Sequence, residues 1–196
     1  MRTIIFEGIA TSGKTTVEQK LIKILGSKRV KFIDEFATLM PLIHNKDPKL
    51  AIEHLVRLIS DLENNDADYI IIDRLHFTHI FRTNAEIENF SVFEESLNKL
   101  NPLIVLLKIQ PNKIASRIAG AIKHRDSEWV SYVKSKGNSM DEITSYYSNQ
   151  QNNLLKMIKN TKISSFVIDT SDEDYDEAAK KIYQLIAHDD HDMIRI

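Results

Sequence analysis

The sequence predicts an α/β fold: a doubly wound sheet of parallel strands with helices packed on both faces. Three observations lead there. Short runs rich in β-branched residues recur along the chain without polar–apolar alternation, as strands covered on both faces do. Stretches with apolar residues at helical spacing fill the gaps between them. A glycine-bounded loop, Gly8 to Thr15, joins the first strand to the first helix.

Taken in order, the expected strands are residues 3–6, a weaker run at 30–33, then 69–72, 103–109 and 165–168. Val17, Leu21, Ile24 and Leu25 make the stripe of the first helix, with Gly26 placed to cap its end. Ile52, Leu55, Ile59 and Leu62 make a second stripe, and Asp47 before Pro48 marks its start. Ser139 and Glu142 spell a capping box for a helix that buries Ile143, Tyr147, Leu154 and Ile158. Ser171 is expected to open the last helix, which buries Ala178, Ile182 and Leu185. No repeat, low-complexity tract or composition break divides the chain, so one domain is expected over 1–196.

Composition narrows the function classes. A chain of 196 residues can bury a substantial core, and a net charge of −2 offers no basic field for nucleic acid. The absence of cysteine excludes disulfides, thiolate metal centres and a cysteine nucleophile. No signal-peptide pattern or membrane-length apolar run is present, and the expected location is the cytoplasm. The hydrophilic end His188-Asp189-Asp190-His191-Asp192 holds metal-ligand residue types, but 188–196 reads as a disordered tail.

The chemistry concentrates at three places. Gly8-Ile9-Ala10-Thr11-Ser12-Gly13-Lys14-Thr15 is an intact G-x-x-x-x-G-K-[ST] between a strand and a helix, the setting in which backbone N–H groups cradle phosphates. Gly8, Thr11, Ser12, Gly13, Lys14, Thr15 and Thr16 are the expected nucleotide-binding residues, with ATP and Mg²⁺ as cofactors. Lys14 should reach the β- and γ-phosphates, and the Thr15 hydroxyl should ligate Mg²⁺. Asp73 ends the third strand, where a carboxylate either holds Mg²⁺ or caps the next helix. Arg74, beside it, is placed to clamp an acceptor phosphate.

The stretch from Arg117 to Asp126 carries Arg117, Lys123, His124 and Arg125. The loop positions Ile9, Ala10, Thr11 and Ser12 bring no positive charge of their own. A mobile segment over 117–128 that brings Arg117 and Arg125 to the γ-phosphate would supply it; the alternative is a solvated helix face. Asp34-Glu35 ends the second strand. Glu35 or Asp34 would serve as base for a hydroxyl acceptor and stand idle for a phosphate; a capping Asp and an exposed Glu are the other reading. Phe77, Phe81, Phe90 and Phe93 could stack on an acceptor base, but aromatics at helical spacing read as core and no base contact is expected of them.

These residues together resemble the thymidylate kinase and deoxynucleoside kinase group of P-loop kinases, over most of the chain. Phe6-Glu7-Gly8 leading into Gly13-Lys14-Thr15-Thr16 is similar to that group's opening. Asp73-Arg74 with Thr78 resembles the thymidylate kinase D-R-Y-x-x-S segment, and Pro111 with Arg117-Ile118 its P-x-x-x-x-x-R-I entry to a lid. Arg125-Asp126-Ser127-Glu128 looks like the end of that lid, and Val167-Ile168-Asp169 like the last strand before the adenine-side loop. The resemblance implies a five-stranded parallel sheet, an arginine-bearing lid, Arg74 near the acceptor, and a homodimer. Leu75 replaces the group's Tyr, Phe81-Arg82-Thr83 its Ala-Tyr-Gln, and Asp34-Glu35-Phe36-Ala37 its Arg-Glu-Pro-Gly, so thymine recognition does not carry over. Glu35 matches the base carboxylate of deoxynucleoside kinases, whose Glu-Arg-Ser is Asp73-Arg74-Leu75 here.

The leading expectation is transfer of the ATP γ-phosphate to a nucleoside monophosphate. A nucleoside, or another hydroxylated small molecule such as an antibiotic or metabolite, is the alternative acceptor. A nucleotide switch is the reading from another class, and two signals oppose it. Asn45-Lys46-Asp47 lacks the N-K-x-D spacing, and Asp73 is followed by Arg-Leu-His rather than by the glycine of D-x-x-G.

Overall fold

In the computed structural model, which describes residues 1–192 with side chains through Ala187, the apolar runs form one sheet. The chain runs β1 (Arg2–Gly8), α1 (Lys14–Leu25), β2 (Val30–Ile33), α2 (Glu35–Thr38), α3 (Pro48–Glu63), β3 (Tyr69–Asp73) and α4 (His76–Thr83). It continues through α5 (Ser91–Leu97), β4 (Pro102–Lys108), α6 (Pro111–Ile122), α7 (Ser127–Lys134), α8 (Met140–Asn160), β5 (Ser165–Asp169) and α9 (Tyr175–Asp192). All strand pairs are parallel, in the order β2-β3-β1-β4-β5. The connection from β1 leads toward β2 and that from β4 toward β5, so the strand order diverges between β1 and β4, where such sheets open a ligand crevice. The register sets Phe6 opposite Asp73 and Gly8 opposite Leu107, which brings the end of β3 beside the glycine-rich loop.

Side chains alternate across the sheet and so divide the core in two. Ile4, Phe6, Ile71, Leu103, Val105 and Leu107 meet Val17 and Leu21 of α1 and Ala178 and Ile182 of α9. Ile5, Ile70, Ile72, Ile104 and Leu106 meet α3, α4, α5, α6 and α8 through Leu55, Ile59, Phe77, Phe93, Ile118 and Leu154. Each fully buried Ile, Leu or Phe contributes about 1.5–3 kcal/mol relative to exposure. Phe77, Phe90 and Phe93 are core, as expected, and Phe81 is half-buried edge-on to Tyr146.

Several boundaries follow the caps read from sequence. Asp47 accepts from the Lys49 N–H at 2.9 Å with Pro48 in the first turn, and Gly26 sits at φ +61° after α1. Ser139 accepts from the Glu142 N–H at 3.2 Å, while Glu142 reaches one residue further back, to the Asn138 N–H at 2.7 Å. The last helix departs from expectation. It begins at Tyr175, with Asp174 accepting from the Glu177 N–H at 3.0 Å. Ser171 instead bonds to Asp169 and accepts from the Gln110 N–H, and Ile186 rather than Leu185 is fully buried. In α1, Ile24 is exposed and Glu18 is buried, a reversal that matters at the site.

The stretch 117–128 is the second half of α6, a turn and the first residues of α7. Asp126 caps α7, accepting from the Trp129 N–H at 2.8 Å. Among the described residues no helix is long and apolar enough to cross a membrane. The expectations for 188–196 concern side chains, and from 193 onward backbone, outside the described residues.

Candidate functional site

The loop after β1 owes its shape to residues that few others could replace. At Gly8 (φ +153°) a Cβ would lie 2.6 Å from Ser12 Oγ and 2.7 Å from the Leu107 carbonyl. At Gly13 (φ +89°) it would strike the Tyr175 ring at 2.2 Å. Thr11 adopts φ +68°, a left-handed conformation that costs a β-branched residue energy and marks a site worth that cost. The loop is anchored by its carbonyls: Thr170 Oγ1 donates to Ser12 O at 2.8 Å and Arg117 Nη2 to Thr11 O at 2.6 Å.

Lys14 begins α1 and is buried, its Nζ donating to Gly8 O at 3.2 Å and Ile9 O at 3.4 Å. Burial, followed by the Arg74 charge, lowers its pKa to about 8. One turn on, Glu18 is 1% exposed with neither carboxylate oxygen partnered among the described residues. Burial and then the Asp73 carboxylate push its pKa up to about 8.

Asp73 does not cap α4, whose N-cap position is Leu75. Its Oδ1 is buried without a partner among the described residues, next to a cavity that Thr15 also lines. A free carboxylate oxygen and a hydroxyl form a hard, all-oxygen donor pair, which suits Mg²⁺ shared with phosphate oxygens.

Arg74 is a second residue in left-handed backbone, at φ +60°. Its N–H donates to Phe6 O at 2.9 Å, extending the β1–β3 ladder by one bond. From there Nε donates to Glu35 Oε2 at 2.9 Å and Nη1 to Gly8 O at 3.0 Å. Burial opposes its charge, but Asp73 and Glu35 more than offset this and raise its pKa. Glu7, fully buried, accepts from the Leu75 N–H at 2.9 Å and from both the N–H and hydroxyl of Thr78, at 3.3 and 2.7 Å. Asp34 is occupied as the cap of α2, accepting from the Phe36 and Ala37 N–H groups, which leaves Glu35 as the carboxylate facing the cavity.

These groups border one cavity of about 830 Å³ at the carboxyl edge of the sheet. Thr11, Gly13, Lys14, Thr15, Thr16, Glu35, Asp73, Arg74, Arg117 and Arg125 all line it; Gly8 and Ser12 stand behind its wall. Arg117 is tied to Thr11 O, to Thr170 O at 3.1 Å and to the Tyr175 hydroxyl at 2.5 Å, and stacks on the Tyr175 ring. Arg125 is exposed, its guanidinium 5.6 Å from the Trp129 ring.

Sequence reasoning missed Glu7, Glu18, Arg82 and the hydroxyl end of Tyr147. Glu18 carries a signal in hindsight: a carboxylate inside an apolar stripe, four residues from Lys14 on the same helix face. Arg82 and Tyr147 are brought to the cavity by α4 and α8 through packing that no local spacing announces.

No protein-family model matches the sequence, and no curated protein matches it. Solved structures do. YorR from Bacillus subtilis, in complex with phosphorylated GDP, is 22% identical, covering 96% of this chain and 98% of that one with a TM-score of 0.61. Thymidylate kinase from Candida albicans is 15% identical over 96% and 92% of the two chains, with a TM-score of 0.60. Deoxyadenosine kinase from M. mycoides is 17% identical over 95% and 98%, with a TM-score of 0.53. The chain therefore has the P-loop kinase fold.

Proposed function

We propose that this protein is an ATP- and Mg²⁺-dependent phosphotransferase that moves the γ-phosphate of ATP to a nucleoside monophosphate. The observation that carries the reading is Arg74, fixed between the phosphate loop and the acceptor side of one cavity by bonds to Gly8 O and Glu35. A guanidinium there meets both the phosphoryl group in transit and the group receiving it.

The loop from Gly8 to Thr16 binds the triphosphate, and Lys14 carries its charge to the β- and γ-phosphates. Thr15 and Asp73 would hold Mg²⁺, which would supply positive charge against the phosphate oxygens. Arg117, anchored beside Thr11, borders the donor nucleotide, and Arg125 at the rim of 117–128 supplies the lid's charge to the transition state. The resemblance to nucleotide kinases supports a soluble, cytoplasmic enzyme acting on a small acceptor, with a homodimer as its assembly.

A second reading has its own observation. Glu35 lines the cavity against Arg74, and a carboxylate at that position takes the proton of a hydroxyl acceptor, as a nucleoside or another hydroxylated molecule requires. ATP consumption with Mg²⁺ across matched panels of nucleosides and monophosphates separates the two. Turnover of monophosphates alone assigns Arg74 to the acceptor phosphate and leaves Glu35 without a proton to accept. Turnover of nucleosides alone makes Glu35 the base, and silence on both panels refutes the nucleotide-kinase reading.

A further inference from the structure

The turn into α4 borders the cavity through Arg74 and Thr78, yet the helix has no cap of its own. Its N-cap position is Leu75, which offers no side-chain acceptor to the free N–H groups of the first turn. A capping box would satisfy the N–H groups at the N-cap and at the third helical position with two side chains of the helix itself. Here Glu7 satisfies both from β1. Its Oε1 accepts from the Leu75 N–H at 2.9 Å and the Thr78 N–H at 3.3 Å, and its Oε2 from the Thr78 hydroxyl at 2.7 Å. Capping alone does not account for this arrangement. A Ser, Thr, Asp or Asn at position 75 would cap α4 without burying a carboxylate directly ahead of Gly8, beside a loop whose N–H groups suit phosphate. Only a residue of β1, however, can fix where the turn stands relative to that loop. Arg74 heads the turn at φ +60°, with its N–H on Phe6 O at 2.9 Å, and left-handed backbone in such a residue persists only where its surroundings hold it.

We infer that Glu7 is a positioning residue for phosphoryl transfer: by holding the start of α4 against β1 it keeps Arg74 in the strained conformation from which its guanidinium reaches Gly8 O. The inference rests on the kinase reading above, in which Arg74 meets the phosphoryl group. Glu7 does not line the cavity, and its oxygens are taken up by Leu75 and Thr78, so it acts through Arg74 and touches no reactant. The path is short. Phe6 and Glu7, consecutive on β1, hold Arg74, Leu75 and Thr78, and Arg74 Nη1 returns to Gly8 O at 3.0 Å, the next residue of the same strand. Transfer depends on alignment, and a displacement of about 1 Å at a clamping group can cost about 10²-fold in rate.

The test is a double-mutant cycle against Arg74, read as kcat and KM with Mg·ATP and the best acceptor from the nucleoside and monophosphate panels, with Tm measured alongside. Thr78→Val keeps the shape of the side chain and removes the hydroxyl that Glu7 holds; it should lower kcat by about tenfold with the KM for ATP nearly unchanged, and Thr78→Ser should restore kcat. Glu7→Met, which keeps none of the three bonds, should lower kcat by about a hundredfold. Glu7→Gln can keep both N–H bonds through its carbonyl oxygen and should stay within about threefold of wild type. In an Arg74→Ala background, Thr78→Val and Glu7→Met should cost no further kcat while still lowering Tm, because the group they position is gone. If Glu7→Met does not fold, the Thr78 series makes the same comparison. Equal losses with and without Arg74, or a lowered Tm with kcat intact, reduce Glu7 to a helix cap and overturn the inference while the kinase reading stands. Silence on both panels, or an Arg74→Ala variant with wild-type kcat, refutes the two together.

Discussion

Substituting Glu18 by glutamine should make the protein more stable at pH 8 while changing little at pH 4. The side chain is 1% exposed, its oxygens lack partners among the described residues, and burial followed by Asp73 pushes its pKa from the ordinary 4.5 to about 8. Between those values the folded protein holds a proton that the unfolded chain has released. Unfolding therefore becomes easier as pH rises: the contribution is fully present below pH 4.5 and lost as pH climbs through 8. A difference of about 3.5 pH units corresponds to a ceiling of about 5 kcal/mol. Glutamine has the shape of the protonated acid and cannot ionise, so it keeps the low-pH stability throughout. Lys14, one turn away, titrates together with Glu18, whose charge helps hold the lysine's lowered pKa up near about 8, so the comparison reads the pair rather than Glu18 alone. Urea unfolding of both proteins at pH 5, 6, 7 and 8 should give midpoints that diverge steadily, the unfolding free energies differing by about a few kcal/mol at pH 8. Parallel profiles, or a less stable glutamine variant at pH 8, would show Glu18 to be ionised in the fold and would refute the argument.

Other perturbations address the chemistry. Lys14→Ala should lower kcat by about 10²–10³-fold with far-UV circular dichroism and Tm retained, as for loss of one transition-state donor; a wild-type kcat removes the lysine from phosphate binding. Arg125→Ala should reduce kcat more than it raises the KM for ATP, and an unchanged kcat takes Arg125 out of the mechanism. Gly13→Ala should abolish ATP binding measured by calorimetry, since φ +89° and a 2.2 Å approach to Tyr175 force the loop or the ring to move; normal affinity would contradict the loop geometry.

The parts of this molecule most legible in sequence are those where chemistry and spacing coincide. The glycine loop shows itself because Gly8 and Gly13 must adopt backbone that other residues avoid, at a fixed distance from Lys14. The strands at 69–72 and 103–109 differ by a residue or so from those observed, because two-sided burial leaves an unbroken apolar run. The start of α9 lies past Ser171 because Ser171 and Asp174 are both good caps, and a tertiary bond from Gln110 engages the first of them. The far wall of the cavity is the least legible: Tyr147 belongs to a stripe that packs as core, and nothing in that periodicity shows that it also borders the cavity with its hydroxyl buried and unpartnered among the described residues.

Glu7 has a mechanical consequence. It stands next to Gly8 in the chain and holds the first turn of α4 through Leu75 and Thr78, while Arg74 ties the same turn back to Gly8 and across to Glu35. The phosphate loop and the start of α4 are thus cross-linked to each other and to the sheet by side-chain hydrogen bonds. On the kinase reading proposed above, two reactants seated there would keep their alignment without a hinge beneath them, and the flexing that admits them would fall to the opposite side, where α6 turns into α7 and Arg125 stands at the rim.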